Sequence, residues 1–249
     1  MTIRCQQQGA VRLLTIDRPA ASNALDAATS AALDAAITAA EADEATGAVV
    51  LTGAGPRAFC AGMDLKEAAR IGAGHGLIAG RGFGGITERQ RTKPLIAAVN
   101  GAAVAGGFEI VLACDIVVAA EGAPMGLAEV KHGLFAFAGG IQRLARQVPR
   151  ATALAMILTG ELVPARRLYD LGVVSEVVPA GEVLPRALAI ATAMLAHSWP
   201  AIANGKLLYE LACGMETGQA LAMGRAWGMA TLERAGAPLP GAPDPAEPR

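Results

Sequence analysis

Apolar residues recur along this chain with two periods, and each change of period marks a new element. Near the start, Ile3 to Gln7 and Val11 to Ile16 flank a Gly9-Ala10 turn, which predicts a β-hairpin. Beyond Arg18-Pro19, Leu25, Ala28, Ala32, Ala36 and Ala40 return near the helical period, so a helix is expected over about residues 26 to 43. Ala48 to Thr52, Leu95 to Val99 and Ile116 to Ala119 are continuous apolar runs of strand length, the pattern of strands buried on both faces. Helical stretches separate them, which favours an α/β arrangement with right-handed crossovers. From Gly139 onward helices dominate, over about 139–147, 150–158, 164–170, 181–196 and 200–213, with one more strand at Val173 to Val178. Between the core strands, Gly72 to Gly85 carries seven glycines in fourteen positions and reads as a mobile loop or a poorly ordered helix start. The expected division is an α/β core over 1–195, a helical C-terminal region over 196–235, and a Pro/Gly-rich tail over 236–249 that should be disordered.

Composition narrows the class. Hydrophobic residues make up 53% of the 249 positions and charged residues 17%, a balance that suits a packed core rather than a disordered chain. The formal net charge of −1, without any basic stretch, argues against a nucleic-acid partner. Arg89, Arg91 and Lys93, or Arg143, Arg146 and Arg150, could hold a phosphorylated small molecule, although solvated helix faces are the simpler reading. Cys5, Cys60, Cys114 and Cys213 show neither C-x-x-C pairing nor metal-like spacing with the three histidines, so they read as reduced, mostly buried thiols and no metal is expected. The N-terminus lacks an apolar signal region and no run is long enough to span a membrane, which makes a cytoplasmic protein without membrane partners the expectation.

Three segments carry candidate chemistry. Gly53 to Ala58 matches G-x-G-x-x-A after a strand, but Phe59-Cys60-Ala61-Gly62 interrupts any helix there and no acid lies about 20 residues on, so a dinucleotide site is rejected. The loop Phe59 to Met63 instead leads to Asp64 and Glu67, a D-x-x-E capping box that gives both acids a structural task. In the second segment, Asn100 to Gly107 leads into an apolar helix through paired glycines, and Glu109 is the one ionisable residue of that helix. An isolated charge there is a helix-dipole acid or a functional group. In the third, Glu129 follows small and apolar residues, with Lys131 a plausible surface partner, and the glycines of Gly139-Gly140-Ile141-Gln142-Arg143-Leu144 open another helix. His75 and His132 lack partners at useful spacing and read as structural or surface residues.

Together these segments resemble the crotonase (enoyl-CoA hydratase) superfamily. Its FxAGxDL loop is matched by Phe59 to Leu65, its VNGxAxGGGxELxxxCD segment by Val99 to Asp115, and its E-x-x-x-G…GGxQRL stretch by Glu129, Gly133 and Gly139 to Leu144. The resemblance implies a ClpP-like spiral of ββα units with a helical C-terminal region used for trimerisation or as a lid. It assigns the backbone N–H groups of Met63 and Gly106 to an oxyanion hole, and Glu109 and Glu129 to the two catalytic carboxylates. It also sets Ala61, Gly62, Asp64, Leu65, Gly107 and Phe137 near the acyl-CoA. The implied reaction is hydration of an enoyl-CoA in fatty acid metabolism, with coenzyme A as part of the substrate and no separate cofactor. A specialised dehydratase, isomerase or hydrolase of the same fold, or a non-catalytic acyl-CoA binder, are the alternatives. A homotrimer or a hexamer of two trimers is expected. Three departures stand out: Ala105 replaces the first glycine of the usual three, Ala136-Phe137 replaces a common Pro-Gly, and the glycine-rich stretch falls where the family varies with chain length.

Overall fold

The computed structural model describes residues 2–72 and 74–234, in two compact units, Met1–Thr192 and Ala193–Arg249. The tail expected over 236–249 lies outside the described residues. The chain opens with β1 (Ile3–Gln8) and β2 (Val11–Ile16), followed by α1 (Ala27–Ala42). A first pass comprises β3 (Ala48–Gly53), β4 (Ala58–Cys60) and α2 (Leu65–Ile71), then a short pair, β5 (Leu77–Ile78) and β6 (Gly82–Phe83). A second comprises β7 (Leu95–Val99), β8 (Ala102–Val104) and α3 (Gly106–Leu112). A third comprises β9 (Ile116–Ala120), β10 (Pro124–Gly126), a 3-10 turn over Glu129–His132 and α4 (Gly140–Gln147). α5 (Arg150–Thr159), β11 (Val163–Pro164), α6 (Ala165–Asp170), β12 (Glu176–Val178) and α7 (Val183–Leu195) follow.

Each pass puts its first strand into one sheet and its second into another. The larger sheet runs β1-β2-β3-β7-β9-β12, and the smaller β11-β10-β8-β4. Apart from the antiparallel β1–β2 and β10–β11 pairs, neighbours in both are parallel. This is the expected spiral of ββα units. β3 and β7 are buried at every position, which explains why their sequences are apolar throughout instead of alternating. β1 lies at the edge and buries only Ile3, leaving Arg4 and three glutamines on a polar, aggregation-resistant rim.

Several local expectations need correction. Residues 77–83 form the β5–β6 pair instead of a loop or helix start, because Phe83 and Ile86 are buried and the Gly84 N–H reaches the Gly76 carbonyl at 2.9 Å. The strand expected from Val173 begins only at Glu176, since the Val173 and Val174 N–H groups both turn back to the Leu168 carbonyl. Arg91 and Lys93 are buried, not solvated. Arg91 donates to the Ile86 carbonyl at 3.1 Å, and the Lys93 ammonium to the Ala40 and Asp43 carbonyls at 2.7 and 2.6 Å. Cys5 and Cys213 are exposed; Cys60 alone is buried, and burial pushes its thiol up to about 12, which makes it inert.

The second unit holds α8 (Trp199–Ala212) and α9 (Thr217–Arg234). The Asn204 side chain joins them by donating to Thr231 Oγ1 at 3.1 Å. Leu207, Tyr209, Leu211, Leu221, Met229 and Leu232 are exposed apolar side chains of this unit. Among the described residues, no helix is long and apolar enough to cross a membrane.

Candidate active site

The site lies where the second strands end, because the turns after β4, β8 and β10 meet there. After β3 the chain does not enter a helix at Gly53 to Ala58, consistent with rejecting a dinucleotide loop; Asn23 and Asn100 stitch that bend together. Asn23 Nδ2 donates to the Ala54 and Ala58 carbonyls at 3.0 and 2.7 Å, while Asn100 Oδ1 accepts the Gly53 N–H at 3.0 Å. The Leu25 N–H then binds the Gly62 carbonyl at 2.8 Å and the Asp64 N–H binds the Leu25 carbonyl at 2.9 Å. Met63 is thus pinned on both sides, while its own N–H has no acceptor among the described residues.

Asp64 caps α2 by accepting the Lys66 and Glu67 N–H groups, and pairs with Arg18 at 3.0 Å. Burial pushes its carboxyl up, but the Arg18 guanidinium and the two backbone donors outweigh that and hold it below the usual range. Glu67 does not close the expected capping box. It reaches instead across to the Ala27 N–H at 2.7 Å, at the start of α1.

Gly106 is the first residue of α3, so its N–H has no partner within the helix. The helix is set against the loop after β4 by backbone contact. A Cβ on Gly62 would stand 3.0 Å from the Gly106 nitrogen, and one on Gly107 would stand 2.0 Å from the Cys60 carbonyl oxygen. A Cβ on Gly106 would strike the Phe83 ring at 2.6 Å. Only glycine fits at 106 and 107, and this brings the two N–H groups, of Met63 and Gly106, to one wall. Ala105, just before them, adopts φ 53° and ψ −126°, a conformation that side chains disfavour.

Glu109 sits one turn into α3 and is only 4% exposed. Its Oε1 accepts the Gly140 N–H at 2.9 Å. Burial raises its pKa above the ordinary glutamate value, with the Gly140 and Ala138 N–H groups and the nearby Arg143 guanidinium opposing. Glu129 opens the 3-10 turn, and its Oε2 is buried without a hydrogen-bond partner. Burial, assisted by the Glu109 charge and only partly opposed by its own backbone N–H, raises the Glu129 carboxyl to about 7. Lys131, the expected partner of Glu129, pairs with Glu161 at 3.6 Å instead.

Both glutamates line one mostly apolar cleft, the character of a small-molecule site. Of the residues marked from sequence, Ala61, Met63, Leu65, Gly106, Glu109, Glu129 and Phe137 line it. Gly62, Asp64 and Gly107 do not; they hold the lining backbone in place. Sequence reasoning passed over Leu77, Phe83, Leu134 and Phe135, which line the cleft; His132, read as a structural or surface residue, is exposed and lines it too. The alternation Phe135-Ala136-Phe137 was the available signal. Those two rings meet edge to face, with centroids 5.9 Å apart. A second apolar cleft, lined by Leu127, Val130, Ile157 and Leu158, shares Glu129, Leu134 and Phe135 with the first. Among the described residues, no three His, Cys, Asp or Glu side chains cluster as metal ligands.

The family model described as Enoyl-CoA hydratase/isomerase matches residues 6–223. A probable enoyl-CoA hydratase of Rhizobium meliloti (strain 1021) is 40% identical over 205 residues, 82% of this chain and 79% of that protein. A 2,3-dehydroadipyl-CoA hydratase of Escherichia coli (strain K12) is 41% identical over 192 residues, 77% of this chain and 75% of its own. Among solved structures, an enoyl-CoA hydratase from Mycobacterium marinum superposes with a TM-score of 0.87 at 38% identity, covering 93% of this chain and 90% of that one.

Proposed function

Since this chain belongs to the enoyl-CoA hydratase/isomerase family, we propose that it is a hydro-lyase that adds water across the 2,3 double bond of an enoyl-CoA thioester to give a 3-hydroxyacyl-CoA. The observation that carries this reading is the convergence of a buried carboxylate, Glu109, and a half-buried one, Glu129, on a cleft that Met63 and Gly106 also line.

The chemistry follows from those parts. As water oxygen attacks C3, electron density moves through C2 onto the thioester oxygen. Two preorganised N–H donors, Met63 and Gly106, stabilise that developing enolate; removing one such donor costs on the order of 3 kcal/mol in comparable sites. Glu109 takes the proton from the attacking water, and Glu129 delivers a proton to C2, so that OH and H add across the bond. A carboxyl raised to about 7 still carries its proton near neutral pH, which suits Glu129 to the acid role. Its unpartnered Oε2 offers an acceptor to the reacting water. Run in reverse, the same residues dehydrate a 3-hydroxyacyl-CoA, so a specialised dehydratase is the second reading. An isomerase, which moves a double bond without water, needs less of this pair.

We further place the activity in the cytoplasm, in fatty acid metabolism, with no cofactor beyond the coenzyme A of the substrate. A homotrimer, or a hexamer of two trimers, is supported by the exposed apolar side chains of α8 and α9. The deciding assay is the loss of conjugated-thioester absorbance from crotonyl-CoA, with wild type, Glu109→Gln and Glu129→Gln. Hydration by wild type, with each variant down at least about 100-fold, is expected. No consumption of crotonyl-CoA or longer enoyl-CoAs by wild type would overturn the hydratase reading.

A further inference from the structure

Resting on that reading, we propose that the cleft selects enoyl thioesters whose acyl group is an uncharged hydrocarbon and discriminates against acyl groups that end in a carboxylate. The two glutamates and the N–H donors serve the reacting atoms. Wherever the rest of the chain then lies, the side chains around it are Leu65, Leu77, Phe83, Leu134, Phe135 and Phe137. These reward burial of a methylene chain.

A terminal carboxylate in the same place loses its hydration and finds no compensating partner. Among the described residues of the lining there is neither lysine nor arginine. The nearest guanidinium in the electrostatics of the site, Arg143, faces away: its Nη2 donates to the Thr87 carbonyl and it does not line the cleft. His132, the one basic side chain among the described lining residues, is exposed, so solvent screens its attraction. Besides His132, the ionisable groups lining the cleft are Glu109 and Glu129, neither of which offers a positive charge to a third carboxylate. A charge taken out of water without a partner is costly.

The test compares two six-carbon substrates that differ only at that end, 2-hexenoyl-CoA and 2,3-dehydroadipyl-CoA, by kcat/KM on the full chain. The expected preference for hexenoyl-CoA is at least about 100-fold. Turnover of dehydroadipyl-CoA within tenfold of hexenoyl-CoA overturns the proposal, as does faster turnover of an enoyl-CoA bearing a terminal trimethylammonio group. Calorimetric binding of the saturated thioesters hexanoyl-CoA and adipoyl-CoA separates selectivity from chemistry. If hexanoyl-CoA binds at least tenfold more tightly while neither enoyl-CoA is hydrated, the hydratase reading fails and the selectivity stands. Equal binding refutes the selectivity whatever the enzyme catalyses.

Discussion

Replacing Ala105 with glycine should stabilise the protein and leave catalysis nearly intact. Ala105 is held at φ 53° and ψ −126° by bonds on both sides: its N–H reaches the Gly126 carbonyl at 2.9 Å, and its carbonyl accepts the Phe108 and Glu109 N–H groups at 2.8 and 3.0 Å. A non-glycine residue in such a region stores roughly 1–3 kcal/mol, and glycine removes that strain. Against it stands the extra chain entropy that glycine brings to the unfolded state, about 0.4–1 kcal/mol. The Ala105 methyl also touches the Gly62 region, within 3.2 Å of where a Cβ on Gly62 would lie, and little apolar area is lost with it. The net gain is about 1 kcal/mol, worth about 2–4 °C in Tm for a chain of this size. Urea titrations at matched protein concentration measure it, since an oligomer would otherwise confound the comparison. Because the Gly106 N–H keeps its place, kcat/KM should stay within about threefold. A loss of stability exceeding about 0.5 kcal/mol would refute the strain argument.

Other consequences are equally direct. The Glu129 carboxyl, raised to about 7, must hold its proton to act as the acid, so kcat/KM of wild type should fall as pH rises above about 7; a flat profile to pH 9 would exclude that role. The same shift weakens the fold. The native state keeps a proton that the unfolded state releases between the ordinary glutamate value of 4.5 and about 7, so stability falls through that window and stays lowered above it. Glu129→Gln should therefore be the more stable protein at pH 8, by no more than about 3 kcal/mol because the carboxyl keeps some solvent, with the advantage gone at pH 4. Gly107→Ala drives a methyl to 2.0 Å from the Cys60 carbonyl and should cost at least about 3 kcal/mol or abolish folding, seen by circular dichroism and urea titration. Phe135→Ala opens the wall shared by the two apolar clefts, so the kcat/KM ratio of 12-carbon to four-carbon enoyl-CoA should rise at least about tenfold; an unchanged ratio would show that Phe135 does not bound the chain.

What the sequence made legible depended on the length of the signal. β2, β3, β7 and β9 are runs of five or six residues dense in Val, Leu, Ile and Ala, and their burial by helices and sheet on either side imprints a continuous apolar pattern. The strands of the smaller sheet are two or three residues long. No periodicity can be read over three residues, so β4, β8 and β10 passed as loops. Glu109 was conspicuous because a lone acid in a buried helix needs a reason, whereas Glu129 beside Lys131 looked like half of a surface pair. Only the fold showed Lys131 turned toward Glu161. The aromatic and leucine wall of the cleft was hidden for a related reason. Phe83 lay in a stretch whose glycines suggested disorder, and nothing local distinguishes a leucine facing a ligand from one facing the core.

The concealed short strands are also what makes the site possible. A strand of three residues ends before its twist and side chains can separate it from its neighbours, so the turns after β4 and β8 come together backbone to backbone. Such contact tolerates no Cβ, which is why Gly62, Gly106 and Gly107 fall where the chain leaves that sheet. The same crowding turns peptide N–H groups outward with no acceptor left inside the fold, and an unsatisfied N–H at the start of a helix is an anion stabiliser. The proposed oxyanion donors are thus a consequence of packing two loops too tightly for side chains. Glu109 follows from the same geometry, carried one turn further along α3 and fixed through the Gly140 N–H by the third pass of the spiral. Ala105 keeps a side chain at φ 53° directly beside these glycines, so the stability of Ala105→Gly tests the packing argument at the point where it is most exposed.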